Sequence, residues 1–429
     1  MTEWRTTVLG ALCSKVTSGG TPLRSVPEYY EGGTIPWLKT GEVKKDYVWS
    51  TEEHITVQGL EASSAKLIPA NSLIVAMYGD GNTAGNVAIN KVPLATNQAC
   101  CNFTLNPEIA NYQFVYHYLK GSYNNLVNLK VGGSQQNLNA ATLKSFPINL
   151  PSLQTQQKIA AILSTYDDLI ANNQRRITLL ERMAKDIYRE WFVRLRFPGY
   201  EQVKVEKGIP RDWHFDVGAK FFGHVKGKSY GGDELSDNPL QMPFITLKSF
   251  ERGGGYRANG LKHYSGRHKP EQVVRQGDIV MAVTDMTQNR EVIGRVARVP
   301  SIGDRGAVIS LDVIKLIPKT ISPAFLYSFF RLSGFGDYIK EFANGTNVLH
   351  LKPDLVSQQK VRMPPKDLQY RFVEIVEPMY RQIDAINLTI TQLVGTRDAL
   401  LPRLISGNLA VADLDIHFPP EMTTAQKAI

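Results

Sequence analysis

At 429 residues the chain is too long for one hydrophobic core and fits two domains plus connecting elements. Its net charge of +9 and pI near 9.2 favour an anionic partner without naming one. Three cysteines, two of them adjacent (Cys100 and Cys101), exclude a disulfide framework and do not match zinc-ligand spacing. No apolar run is long enough to span a bilayer, and the N-terminus has no signal-peptide pattern, so no membrane partner and a cytoplasmic location are expected.

In chain order, "IPWLKT" (residues 35–40) and "SLIVAM" (72–77) are short apolar runs bounded by turn residues, which predicts strands. "FVYHYLK" (114–120) predicts a short helix ahead of a turn at Gly132. The stretch 159–191 then contains neither Gly nor Pro. Its positions Ile159, Leu163, Tyr166, Ile170, Asn173, Ile177, Leu180, Ala184, Ile187 and Trp191 alternate steps of four and three. That is a coiled-coil seam of period 3.5 with one polar position, Asn173, suited to setting register. Such a seam requires a partner helix.

The partner is encoded 213 residues later. The matching positions are Phe372, Val376, Met379, Ile383, Ile386, Ile390, Leu393, Arg397, Leu400 and Leu404, apolar at all but Arg397. Pro151 maps to Pro364 and Gly132 to Gly345 at the same offset. Earlier segments repeat more loosely: "IPWLKT" with "MPFITL" (242–247), "IPANSLIVAM" with "VRQGDIVMAV" (274–283), and "FVYHYL" with "FLYSFF" (325–330), at offsets between 206 and 213. The chain is therefore an internal duplication, each copy a mixed globular region followed by one long helix. The expected segments are 1–150 and 197–364 for the globular regions, 151–196 and 365–410 for the helices, and a tail at 411–429.

An antiparallel pairing about the seam midpoints places Arg397 opposite residue 166, beside Asp167 and Asp168. A parallel pairing places it beside Ala184, near Arg182 and Lys185, where like charges repel. The antiparallel arrangement is expected. Away from that contact, the pair Asp167 and Asp168 reads as a solvated helix flank.

Catalytic motifs fail on inspection. "GHVKGKS" (223–229) has three residues between its glycine and Gly-Lys-Ser where a phosphate-binding loop needs four, so it reads as a basic turn. "GDGNTAG" (79–85) has one residue too many for a dinucleotide fingerprint. "DNPL" (237–240) lacks the second proline and the aromatic of the amino-methyltransferase loop it resembles. Neither an HExxH string nor a Gly-x-Ser-x-Gly elbow occurs.

Residues 132–170, "GGSQQNLNAATLKSFPINLPSLQTQQKIAAILSTYDDLI", together with the duplicated architecture, resemble a specificity subunit of a type I restriction–modification system. The resemblance covers nearly the whole chain. The second copy departs from it, having no Gln-Asn-Leu after Gly345 and "LQYRFVEIV" at the helix start. The resemblance implies an α+β fold: two mixed α/β target recognition domains separated by an antiparallel pair of long coiled-coil helices, related by a pseudo-two-fold internal repeat. It implies a non-catalytic subunit that binds double-stranded DNA, each half reading one part of a split, asymmetric target. Two modification subunits, which are adenine N6-methyltransferases using S-adenosylmethionine, would dock on it. Restriction subunits, translocase–nucleases using ATP and Mg²⁺, would join them, and no cofactor or metal is expected in this chain. A helix of 33 residues spans about 50 Å, enough for a rigid spacer to bridge more than one DNA turn.

DNA contacts are expected from loops of the two globular regions. In the first, Lys39, Lys44 and Lys45 follow one strand, and Tyr78, Asn82 and Asn86 follow another. In the second, "YRANGLKHYSGRHK" (256–269) supplies Arg257, Lys262, His263, Arg267, His268 and Lys269, and Thr284, Gln288, Asn289 and Arg290 follow "IVMAV". Lys and Arg suit phosphates; Asn, Gln and some Arg suit base edges. Two other classes stay open: a stand-alone DNA-binding regulator that dimerises through a seam, and a nucleotide-using enzyme built on "GHVKGKS".

Overall fold

The computed structural model describes residues 4–79, 82–130 and 137–418. The Gly132 turn, the middle of the 79–85 glycine string and residues 419–429 of the tail lie outside the described residues. The chain forms two compact units, Met1–Ala171 with Gln392–Ile429, and Asn172–Thr391. Both unit boundaries fall inside the long helices, so each unit contains one globular region and a portion of each helix.

In the first unit, five strands line up in the order Cys13–Ser18, Cys100–Leu105, Leu73–Ala76, Val87–Asn90, Tyr47–Val48. A smaller sheet sets Ile35–Leu38 between Glu53–Ile55, antiparallel, and Ala95–Thr96, parallel. The terminal strands Arg5–Val8 and Pro147–Leu150 pair antiparallel. The run Leu73–Ala76 is buried at every position, which is why it is apolar throughout instead of alternating.

The second unit rebuilds this frame. Phe222–Lys226, Val313–Pro318, Ile279–Ala282 and Val296–Arg298 make a four-stranded sheet. Met242–Ile245 sits between Lys262–Tyr264, antiparallel, and Ala307–Ile309, parallel. His214–Val217 pairs with Lys360–Met363. Single backbone bonds recur in both copies. The Met77 amide donates to Ala99 at 2.8 Å as Val283 does to Asp312 at 2.8 Å. Leu138 donates to Met77 at 2.9 Å as Leu351 does to Val283 at 2.8 Å. The repeat seen in the sequence is thus a repeat of hydrogen-bonded register. The drift in offset corresponds to loops of unequal length between equivalent anchor points.

The long helices are Leu153–Tyr188, continued by a π-helical turn Arg189–Val193, and Lys366–Ile405. All twenty seam positions are buried or half-buried, so the 3.5-residue period describes the packed stripe. In the first unit Arg397 reaches Asp167 at 2.7 Å. In the second, the Tyr188 and Phe372 rings meet at 5.8 Å. Late residues of one helix therefore meet early residues of the other, the expected antiparallel sense. The second helix also carries Pro378 in its interior, a residue that costs about 3 kcal/mol in an isolated helix. Burial of Phe372, Val376 and Tyr380 around it offsets that cost.

One reading of the sequence is corrected here. Asp167 is not a solvated flank: it is 5% exposed and inside the first unit. Asp168, next to it, is exposed. At the equivalent positions of the second unit two hydroxyls meet, Ser328 Oγ and Tyr380 Oη 2.7 Å apart.

Each long helix starts on a buried glutamine. Gln156 donates from Nε2 to the carbonyls of Ile109 and Pro151 and accepts from the Asn111 amide. Gln369, 213 residues later, donates to Pro364 at 2.8 Å. The segment after each helix folds back within its unit: Lys158 donates to the carbonyls of Ala412 and Leu414, and Arg371 to that of Pro198. The described part of the tail therefore packs on the first unit, with Val411 buried in its core.

Candidate nucleic-acid interface

One set of recognition candidates in each region follows the buried central strand, Leu73–Ala76 in the first and Ile279–Ala282 in the second, and the two copies hold the loops there by the same bonds. In the first, Gly85 donates to Ala76 at 2.9 Å; in the second, Gly294 donates to Ala282 at 2.8 Å. Between these anchors the second copy has three more residues. A fixed base with a variable connection is the usual setting for a binding loop.

In the first region, Tyr78 is half-buried and Asn82 exposed. Asn86 is occupied locally, its Nδ2 donating to the carbonyls of Asn82 at 2.6 Å and Thr83 at 2.8 Å. Lys39 ends the strand Ile35–Leu38 and pairs with Glu53 at 2.9 Å and Glu52 at 3.5 Å. The bond to Glu53 raises its pKa, so this lysine is charged but already partnered. Lys44 and Lys45 are exposed at the turn that follows, Lys45 lying 3.7 Å from Glu42. Arg24, which the sequence reading did not select, stacks over Tyr30 and Trp37 and pairs with Glu53.

In the second region, the segment 256–269 is not one loop. Lys262 and His263 lie half-buried on the strand Lys262–Tyr264, and Lys262 is 3.8 Å from Asp237. Arg257, Arg267, His268 and Lys269 are exposed. Arg257 Nε donates to Asn259, while the Arg267 carbonyl accepts from the Tyr264 hydroxyl.

The loop after Ile279–Ala282 departs further from expectation. Thr284 is 3% exposed, paired through the short ladder Thr284–Asp285 with Leu349–His350, and its hydroxyl faces His350 Nδ1 at 3.5 Å. Its position inside the fold makes it a frame residue. Asp285 is buried and accepts from the amides of Thr287, Val292 and Ile293 and from the Thr287 hydroxyl. Burial opposes its charge, but these donors outweigh burial and hold its carboxyl below the usual range. Gln288 donates to the Thr346 carbonyl at 2.5 Å, Arg290 pairs with Glu341 at 2.5 Å, and Asn289 is exposed. Glu291 meets Arg252 at 3.1 Å, tying the loop to the segment that leads into the basic one.

"GHVKGKS" has no phosphate loop. Residues 222–226 are a strand, and Gly227 packs so closely that a Cβ there would lie 1.9 Å from the Ser310 carbonyl oxygen. Among the described residues no group of three or more His, Cys, Asp or Glu side chains is placed to hold a metal ion, and no helix is long and apolar enough to cross a membrane. Cys100 and Cys101 are buried, and burial pushes the Cys101 thiol up to about 12, far from a reactive thiolate.

Residues 1–182 match the family model described as the type I restriction modification DNA specificity domain. The chain is 26% identical over 419 residues to the type I restriction enzyme MjaIX specificity subunit of Methanocaldococcus jannaschii, covering 93% of this chain and 92% of that protein. It is 34% identical over 170 residues to the EcoR124I/EcoR124II specificity subunit of Escherichia coli, covering 39% and 41% of the two chains. The crystal structure of the type I restriction–modification S subunit from M. genitalium superposes with a TM-score of 0.60 at 17% identity, over 94% of this chain and 96% of that one. The duplicated frame, the paired seams and these likenesses agree, and together they support the reading of the chain as a specificity subunit of a type I restriction–modification system.

Proposed function

We propose that this chain is the sequence-specific DNA-binding subunit of a type I restriction–modification enzyme, each half reading one part of a split, asymmetric target. The observation that carries this reading is one register-matched frame occurring twice, with different loops at equivalent anchors. Two different loop sets on one frame suit two different half-sites. The long helices would act as a spacer of fixed length, and the 36 residues of the first make about 54 Å of helix. Every seam position is buried or half-buried within the chain, which disfavours a regulator that dimerises through them.

On this reading the chain is non-catalytic and cytoplasmic. Modification subunits bring S-adenosylmethionine and adenine N6-methyl transfer, and restriction subunits bring ATP and Mg²⁺. The test is adenine-methylation mapping in cells expressing this chain with its modification partner. A split motif is expected. Grafting a relative's residues 204–359 in place of these should change one half of the motif and leave the other. A motif that changes in both halves, or one that is not split, would overturn the reading. S-adenosylmethionine or ATP turnover by the purified chain, lost on mutating it, would overturn its non-catalytic character.

A further inference from the structure

The loop 285–293 of the second unit spends most of its polar side chains on itself and its surroundings. Asp285 takes four hydrogen bonds from within the loop, Gln288 reaches the Thr346 carbonyl, and Arg290 pairs with Glu341. Arg290 also sits at φ 52°, a left-handed conformation costly for a long side chain and held here by those contacts. The partner segment is itself closed by two backbone bonds between Asn344 and His350, at 3.0 and 2.9 Å. Two anchored loops thus share one rim. Facing outward from the first are Asn289 and Met286, and the methionine is 74% exposed.

A lone exposed apolar side chain is ordinary on a protein surface. A bare methionine directly after the buried carboxylate that anchors a loop, on the frame position where the other copy carries a loop three residues shorter, is not accounted for by packing. Methionine is unbranched and polarisable, and it fits flat aromatic surfaces and methyl groups. Apolar side chains read thymine methyls and wedge against base steps in nucleic-acid grooves.

We propose that Met286 is a specificity-determining residue of the second half, making an apolar contact with a base, while Gln288 and Arg290 hold the loop and do not read sequence. This rests on the recognition reading above. An apolar side chain at an exposed position gains from excluding water on contact.

The test uses the chain assembled with its modification subunits and two duplexes. One carries the motif mapped for the wild type; the other has the second half of that motif scrambled. With M286A the ratio of the two affinities should fall about tenfold, while binding to the scrambled duplex and its salt dependence stay at the wild-type level. M286L should keep the ratio within about threefold, because it restores apolar area. A ratio in M286A equal to the wild type's would overturn the assignment of Met286. A wild-type complex with no preference between the duplexes would overturn the recognition reading itself.

Discussion

Arg397 donates from Nη1 to Asp167 Oδ1 at 2.7 Å, joining the two long helices across 230 residues of sequence inside the first unit. Its other guanidinium nitrogens turn outward to Asp398. Asp167 Oδ2 faces His117 Nε2 at 3.7 Å, and neither atom has a hydrogen-bond partner. Burial pushes the Asp167 carboxyl above its ordinary range, with Arg397 countering only in part. Breaking a buried pair from one side leaves an uncompensated charge, whereas replacing both partners removes the desolvation cost of each. Arg397→Ala should therefore destabilise the first unit by about 3–5 kcal/mol. The double variant Asp167→Leu with Arg397→Met should recover most of that loss. Urea denaturation, followed by amide exchange of the helix Tyr112–Gly121, measures both; a double variant as unstable as the single would contradict the argument.

His117 makes the same junction sensitive to acid. Burial drives its pKa from 6.5 down to about 3, with Lys120 and Arg397 pushing the same way. The unfolded chain then binds a proton that the folded chain refuses, so this contribution is present above pH 6.5 and is lost as the pH falls toward 3. Titration across that window is worth about 5 kcal/mol. His117→Ser, which introduces the residue at the equivalent position of the second copy, should flatten the pH dependence of first-unit stability between pH 6 and about 4. Denaturation midpoints at several pH values check this. A slope equal to the wild type's would place the acid sensitivity elsewhere.

Much of this was legible in the sequence because frame and seam are periodic. A 3.5-residue apolar repeat and strands that recur at nearly constant offset are local patterns, and the structure fills them with buried side chains. What stayed hidden depends on partners distant in sequence. The antiparallel seam already sets Arg397 beside Asp167, but the burial of that carboxylate and the approach of His117 are not visible one place from the seam residue Tyr166. Thr284 follows an apolar run as a loop residue would, and only its pairing with His350 draws it inside. Met286 carries no polar signal and was passed over, although its exposure marks the loop. Gln156 and Gln369 lie in quoted strings, but their side chains acquire meaning only from the carbonyls they reach.

The exposed cations of the second region should anchor phosphates. Arg257 and Arg267 are exposed, and Lys262 is half-buried beside Asp237. Alanine at all three should weaken DNA binding by about tenfold or more at low salt and lower the salt slope by roughly two to three. The Lys262 share should be the smallest, since a carboxylate already faces it. Binding isotherms between about 50 and 200 mM salt report this directly. An unchanged affinity at low salt would remove the segment from the interface.

Gly227 separates the structural reading of "GHVKGKS" from the nucleotide-binding one. Its amide donates to the Val313 carbonyl at 3.1 Å, as Gly19 does to Cys100 at 3.2 Å in the first copy. Cβ atoms built at Gly19 and Gly227 would lie 2.1 Å from Asn97 O and 1.9 Å from Ser310 O. Both contacts are with backbone oxygens, which cannot swing aside as a long side chain would, so the sheet edge itself must shift. Gly227→Ala should therefore cost the second unit about 3 kcal/mol or more, as overpacking against backbone does. Lys228→Ala, in the same string, should cost under about 1 kcal/mol, because its backbone bond to Ile309 survives the change. A phosphate loop would invert this order, since its lysine supplies the charge that holds the nucleotide. Thermal unfolding of both variants with and without ATP decides the matter. The expected result is a low midpoint for Gly227→Ala only, and no ATP-dependent rise in the wild type.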